Sequence, residues 1–232
     1  MRASPSVSSR RTGPAIGPYT LGQFRKMAQA FHGYSAPGML IGGFMVTRAR
    51  SMLPPGTLFE ALVETPKCLP DAVQLLTPCS TGNRRMNVLD LGRYALTLYD
   101  KFTGDGWRVY IDVHRLESWP GIRTWFLKLK PKKEQDGPGL FREIEEAEGC
   151  FLGLQAVRVE EPWLRKEASG EIGICPVCGE AYPRRHGEAC LGCSKGVPFA
   201  AIPVAPEEAL SSPRPSGFTP PRSAFQADEG TH

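Results

Sequence analysis

The sequence lacks a long hydrophobic run. No stretch of about 18 consecutive apolar residues occurs in its 232 residues, so we expect no transmembrane helix. Its first residues carry arginines but no apolar segment of about 7–15 residues behind them, so we expect no secretory signal either. We therefore predict a cytoplasmic protein, where cysteines are more often metal ligands or free thiols than disulfides.

Strong net charge is also missing. The formal charge is +4, which is too small to indicate a nucleic acid or a membrane surface as a partner. The seven cysteines are an odd number and cannot form a closed set of disulfides. The 25 glycines and 22 prolines indicate that part of the chain is loop or tail.

Helical and strand-like patterns are mixed along residues 19–165. Apolar residues at helical spacing predict helices, and alternation on both sides of a glycine-containing turn predicts a β-hairpin. The predicted helices span 21–31, 39–52, 71–76, 120–130 and 140–149, and the predicted strands span 57–65, 88–91, 95–101, 107–113 and 156–160. This mixture predicts an α+β core domain of helices and an antiparallel sheet.

Both ends of the chain have little to bury. Residues 1–18 are rich in Ser, Pro, Gly and Arg, and residues 198–232 contain seven prolines and four serines. We expect a disordered arm over 1–18 and a disordered tail over 198–232.

Residues 171–197 contain two CxxC pairs separated by eleven residues. The pairs are Cys175/Cys178 and Cys190/Cys193. Two such turns place four thiolates around one ion, so we predict a structural zinc finger of treble-clef or ribbon type. Its formal charge is zero, which disfavours a nucleic-acid-binding finger and favours a role in stability or protein contact. A redox use of the cysteines is the less favoured alternative.

The core domain offers a second group of candidate residues near predicted helix ends. His32 and Cys68, together with Cys79, could bind a soft or borderline metal. Asp71 could orient a ligand, as could Gln74 one turn later on the same helix. We expect the helix dipole to favour a Cys68 thiolate, which makes Cys68 and Asp71 the catalytic candidates. The alternative for Cys68 and Cys79 is a plain buried side chain.

Cys150 lies in a predicted helical run beside Phe151 and Leu152. We therefore predict that Cys150 belongs to the hydrophobic core.

Several motifs together resemble the FmdE-like family of formylmethanofuran dehydrogenase proteins. They occur in the same order as in the family over about residues 20–195. They are Phe31-His32-Gly33, Pro37-Gly38, Lys67 to Gln74 (KCLPDAVQ), Thr77 to Gly82 and the C-terminal CPVCGE. The resemblance implies an α+β core with a small zinc domain, a homodimer, and a metal-containing cleft near the His and Cys motifs. It also implies an association with molybdenum or tungsten formylmethanofuran dehydrogenase.

The first motif departs from the family pattern, which resembles Phe-His-Gly-His-x-Cys-Pro-Gly. Here Tyr34 replaces the second histidine and Ala36 replaces the cysteine. Alanine cannot ligate a metal, and tyrosine is a poor substitute for imidazole. Our first hypothesis is an FmdE-like metal-binding protein with a second metal or metal cofactor in the cleft. The alternative is a non-catalytic adaptor in a larger protein complex; a nucleic-acid-binding finger ranks below both.

Overall fold

A computed structural model describes residues 15–166 and 168–200, and the chain divides into two units between residues 167 and 168. A five-stranded mixed sheet forms the frame of the first unit. Its strands, in chain order, are β3 (Phe59–Val63), β4 (Met86–Val88), β5 (Ala95–Asp100), β6 (Asp105–Ile111) and β7 (Leu152–Arg158). They lie in the order β4-β3-β5-β6-β7. A two-stranded ribbon precedes the sheet, made of β1 (Ala15–Ile16) and β2 (Tyr19–Thr20).

Six helices of the first unit pack around or flank this sheet among the described residues. They are α1 (Leu21–His32), α2 (Pro37–Ser51), α3 (Leu69–Leu76), α4 (Pro120–Phe126), α5 (Gly137–Ala147) and the short α6 (Glu161–Leu164). Short 3-10 turns cover His114–Ser118 and Lys132–Glu134. Thr20 and Gln23 form a capping box at the start of α1, since each side chain bonds the other's backbone N–H.

The sheet is antiparallel except at one pair of strands. β5 and β6 form the predicted hairpin, and β7 extends it on the outer side. β3 and β4 run parallel, because α3 connects them and carries the chain back to the end where β3 began. The predicted α+β fold is confirmed, with this parallel pair as an addition.

α2 is the centre of the hydrophobic core. Ten of its 15 residues are buried, because it contacts α3 and α5 as well as β5 and β6. Proline at its first position suits a helix start, where the missing N–H has no helical partner. α3 buries Leu69, Ala72 and Val73 against the same core. The functional candidates on α1, α2 and α3 therefore stand on tightly packed helices.

Two predictions about order and burial are wrong. The predicted disordered arm is too long, because Ile16 is fully buried and pairs with Tyr19; residues 1–14 lie outside the described residues. Cys150 is exposed rather than part of the core. Its helix ends at Ala147, and positive φ angles at Glu148 (45°) and Gly149 (80°) turn the chain so that Phe151 is buried instead.

The second unit is small and contains little hydrophobic core. It has a hairpin of β8 (Ile172–Ile174) and β9 (Ala181–Pro183), a 3-10 turn over Arg184–His186 and helix α7 (Leu191–Lys195). Most of the predicted tail, residues 201–232, lies outside the described residues. Within residues 15–166 and 168–200, every helix is too short or too polar to cross a membrane.

Candidate metal centres

The four cysteines of the second unit converge on one point. Their sulfur atoms all lie within 4.8 Å of one another, and the Sγ atoms of Cys178 and Cys190 are 3.7 Å apart. Four Zn–S bonds of about 2.3 Å in a tetrahedron separate neighbouring sulfurs by about 3.8 Å. The spacing fits a zinc ion. Cys175, Cys178, Cys190 and Cys193 would be its ligands.

Backbone groups hold the thiols in place. The N–H of Cys190 donates to Sγ of Cys175, and the N–H of Cys193 donates to Sγ of Cys190, both at 3.4 Å. Gly179 follows the first pair with a φ of 77° and donates to the carbonyl of Cys175. This left-handed conformation is unfavourable for residues with a Cβ, which explains the glycine after the second cysteine.

The same cluster cannot carry four negative charges without a cation. The backbone N–H of Cys190, with that of Cys178, lowers the pKa of Cys175 to about 6. The neighbouring thiol of Cys190, followed by that of Cys178, raises the pKa of Cys193 to about 12. A divalent ion supplies the positive charge that full deprotonation needs. The chemistry of the donors therefore also fits a structural metal.

In the first unit, His32 lies between Asp71 and Cys68. Its Nδ1 is 2.6 Å from Oδ2 of Asp71, and its Nε2 is 3.8 Å from Sγ of Cys68. An ionised carboxylate can only accept, so Nδ1 carries the hydrogen and Nε2 presents its lone pair to the sulfur. His32 ends α1, while Cys68 and Asp71 belong to the start of α3, so the packing of these two helices makes the contact.

Cys68 has an unusual backbone conformation. Its φ is 53° and its ψ is −43°, and the N–H of Leu69 donates to the carbonyl of Lys67 across it at 2.5 Å. This three-residue turn is rare for a residue with a side chain, and such conformations cost about 1–3 kcal/mol. The turn between β3 and α3 therefore aims the thiol at the cleft at the expense of stability.

Gly38 and Tyr94 enclose the thiol from the other side. A Cβ at Gly38 would lie 2.9 Å from Sγ of Cys68 and 2.7 Å from the Tyr94 hydroxyl. That hydroxyl donates to the carbonyl of Gly38 at 2.8 Å. Only glycine leaves room for both groups, so the Pro-Gly of the first motif is a packing requirement of this site.

The expected stabilisation of a Cys68 thiolate by the helix dipole is not found. Burial raises the pKa of the Cys68 thiol above its ordinary value, and the nearby Asp71 carboxylate raises this pKa further. Without a metal the group is a neutral thiol at neutral pH. Desolvation and one carboxylate outweigh a helix of only eight residues.

Cys79 lies away from this site. It is fully buried, and its Sγ donates to the carbonyl of Phe59 at 3.7 Å. Cys68 precedes α3 and Cys79 follows it, and an eight-residue helix is about 12 Å long. The structure therefore brings His32, Cys68 and Asp71 together but leaves Cys79 apart, and Asp71 rather than Gln74 is the residue that bonds His32.

The two replaced positions of the first motif are also visible. The ring of Tyr34 packs beside the imidazole of His32, with centroids 4.9 Å apart. Ala36 is buried and stands as the N-cap of α2 with no side-chain bond to the helix. Neither residue adds a metal ligand. Cys68 and His32 are thus two ligands, with Asp71 behind His32.

Sequence reasoning did not identify the charged wall of the cleft. A cavity of about 650 Å³ next to Cys68 includes Arg93 and Arg108 in its lining. Both arginines pair with the buried Glu64: Nε and Nη2 of Arg108 at 2.6 and 2.9 Å, and Nε of Arg93 at 2.7 Å. Burial would raise the pKa of Glu64, but the two arginines outweigh it and lower this pKa. The alternation that predicted β6 placed Arg108 and Tyr110 on one face, which was the available signal.

Comparison with known proteins identifies the family. The family model described as "FmdE, Molybdenum formylmethanofuran dehydrogenase operon" matches residues 31–157, and the model of the FmdE treble clef zinc finger matches residues 166–200. A solved structure of an FmdE-like protein of tungsten formylmethanofuran dehydrogenase, from Syntrophus aciditrophicus, is 49% identical, with a TM-score of 0.76. The match covers 82% of this chain and all of that chain.

A curated protein from Archaeoglobus fulgidus, a probable S-adenosyl-L-methionine-binding protein, is 33% identical over 100 residues. The match covers 40% of this chain, and this chain spans only 27% of that relative's length. The two family matches, by contrast, cover the core and the finger in turn. The chain belongs to the FmdE family and carries the family's treble-clef zinc finger.

Proposed function

We propose that the cleft around Cys68 binds a second metal, either as an ion or within a metal-bearing cofactor. The observation that carries this proposal is the position of His32, with Asp71 on Nδ1 and Cys68 facing Nε2. Zn–S and Zn–N bonds of about 2.3 and 2.0 Å at a tetrahedral angle separate the two donor atoms by about 3.6 Å. The 3.8 Å between Nε2 and Sγ supports the fit.

Asp71 has the role of an orienting partner. A carboxylate on the far nitrogen of a metal-binding histidine fixes the tautomer and raises the basicity of the ligand nitrogen. Because the protein supplies two ligands where catalytic zinc sites usually have three, the remaining positions belong to the cofactor or the bound ligand. When bound, such a metal supplies Lewis acidity to that ligand.

The raised pKa of the Cys68 thiol supports a metal site over a free nucleophile. A nucleophilic cysteine needs a lowered pKa, whereas a buried neutral thiol becomes a thiolate when a cation binds. The cleft therefore suits a ligand that arrives with its own positive charge.

Counting bound metal tests the proposal. After dialysis against zinc, we expect two zinc ions per wild-type chain and one in the double variant His32→Ala/Cys68→Ser. Cys79→Ser is the matched control, because Cys79 lies apart from the cleft and should leave two. One zinc in both the wild type and the double variant would refute the cleft site.

We further propose that the protein is a cytoplasmic homodimer that associates with a molybdenum or tungsten formylmethanofuran dehydrogenase. The names of the family and of the Syntrophus protein support this association. Light scattering tests the dimer, which should have twice the 25.4 kDa mass of the chain. A mass of one chain at micromolar concentration would refute it.

An adaptor role is the second candidate function, and the finger surface favours it. Ile174, Val177 and Phe199 are 74, 72 and 72% exposed on this small unit. Exposed apolar side chains of this kind support protein contact. Co-purification with the dehydrogenase should be lost in Ile174→Ser/Val177→Ser with the zinc content unchanged. Equal recovery of the variant would count against a docking role of the finger.

A further inference from the structure

The cleft has a second cavity on the other side of Cys68. It has a volume of about 800 Å³ and lies between the first turn of α2, the end of α4 and the start of α5. Cys68 and Trp125 line both this cavity and the smaller one beside Arg93. A molecule in the larger cavity can therefore reach the thiol.

Positive charge dominates the wall of this cavity. Lys128, Lys130 and Lys132 line it, and its lining contains no acidic side chain among the described residues. Lys128 adopts a φ of 53° directly after α4, an unfavourable conformation that holds it at the cavity wall. Ammonium groups without a protein carboxylate nearby favour an anionic ligand, and lysine is a common partner of phosphate.

The start of α2 adds donors at the same place. Ser35, Pro37 and Gly38 line the cavity, and the N-cap residue Ala36 has no side chain that could accept from the helix N–H groups. α2 is 15 residues long, so its N-terminal end attracts anions. The Oγ atom of Ser35 is out of contact with solvent and has no hydrogen-bond partner among the described residues. A buried hydroxyl without a partner is costly, and an acceptor on a ligand would satisfy it.

The rest of the wall is aromatic. Tyr34, Trp125 and Phe141 line the cavity together with Leu140. Flat apolar side chains favour an apolar or aromatic body, while the lysines and the helix end hold one charged group.

We infer that this cavity binds a phosphomonoester with an aromatic body, with the phosphate at Ser35 and the lysines of residues 128–132. The inference rests on the proposal that the cleft around Cys68 is the functional site. It gives the loss of polar residues at Tyr34 and Ala36 a consequence: an apolar wall and an uncapped helix end face the ligand.

Titration with phenyl phosphate tests the inference on the full chain. Binding is followed by isothermal calorimetry and by the fluorescence of Trp125, with Trp125→Phe identifying that signal. We expect saturable binding that is weakened about tenfold or more in Lys130→Gln/Lys132→Gln and about threefold in Ser35→Ala. Lys133→Gln is the matched control, since Lys133 lies in the same loop but does not line the cavity, and its affinity should be unchanged.

Three results would overturn the inference. They are absence of binding, unchanged affinity in the double lysine variant, and equal weakening by Lys133→Gln, which would indicate general charge attraction. Benzoate binding as tight as phenyl phosphate would replace phosphate by carboxylate as the ligand class.

The same titration in His32→Ala/Cys68→Ser separates this inference from the metal proposal. Phosphate binding should persist there, because the lysines and Ser35 remain. If the metal count fails while phenyl phosphate still binds, only the metal proposal is lost; if binding fails while the count stands, only the present inference is lost.

Discussion

The two metal centres differ in how much of their unit depends on them. In the finger, four sulfurs surround one point, and Cys175 and Tyr182 are the buried side chains of note in that unit. In the core domain, the candidate ligands Cys68 and His32 lie at the edge of a large hydrophobic core built on α2. A closed four-ligand site replaces a core, whereas an open two-ligand site needs one to hold it in position.

This difference explains why the first motif tolerates Tyr34 and Ala36. The core domain is held by packing, so loss of ligands there leaves the fold intact and changes only what the cleft can bind. Loss of any finger cysteine removes both the ligand and the main source of folding energy. The following predictions test this contrast, beginning with the largest effect.

Cys175→Ser should abolish the fold of the finger. Structural zinc contributes on the order of 10 kcal/mol to such units, and three remaining ligands hold the ion poorly. Loss of one zinc per chain, with the thermal transition of the core domain unchanged, is the expected result from metal analysis and calorimetry. The exposed Cys150→Ser should keep the zinc. A shared loss of core stability would show that the core depends on the finger.

Glu64→Gln should destabilise the core domain by about 3 kcal/mol, because it leaves two arginines facing a buried neutral group. The pKa of Glu64 is lowered in the folded protein, so its stabilising effect is complete above the ordinary carboxyl pKa of about 4.3. That effect is lost as the pH falls through the lowered value. Urea unfolding at pH 7 and below pH 4 measures this, with the gap between the two proteins narrowing in acid. A constant gap would contradict the role of the charge.

Gly38→Ala should disturb the Cys68 site at a cost of about 1–3 kcal/mol, since the new methyl group would collide with Sγ and with the Tyr94 hydroxyl. Denaturant unfolding measures the cost. Gly22→Ala is the control, because nothing lies within 4 Å of that position and alanine favours a helix by about 0.5–1 kcal/mol. Equal effects of the two substitutions would argue against the close contact.

Alkylation of Cys68 in metal-free protein should follow a pH profile with its midpoint above the ordinary thiol pKa of about 8.5, because burial and Asp71 raise the pKa. Mass spectrometry of the iodoacetamide product between pH 6 and 10 gives this profile. Asp71→Asn should move the midpoint downward. A wild-type midpoint below 7.5 would instead indicate an activated thiolate.

The sequence was sufficient for the finger because its site depends on local spacing. CxxC turns and Gly179 specify their own geometry, so the four ligands follow from residue order alone. The helices and the hairpin were also predictable from periodicity, to within a few residues at their ends. The parallel pairing of β3 and β4 was missed, because it depends on the path of the chain through α3.

The cleft depends on tertiary packing, and here sequence reasoning reached only part of the site. It pointed to His32, Cys68 and Asp71 as residues near helix ends, but the contact of His32 with both partners requires α1 and α3 to pack together. Cys79 was placed too near because the length of α3 was not considered. Neither the pairing of Glu64 with two arginines nor the lysine-lined cavity could be read from spacing.

Titration with cobalt(II) tests the account most directly, because sulfur ligation gives a charge-transfer absorption for each bound ion. We predict that this absorption grows over two equivalents of cobalt in the wild-type chain and over one in Cys68→Ser, with Cys79→Ser behaving like the wild type. Growth that stops after one equivalent in all three proteins would contradict the claim that the core cleft holds a metal.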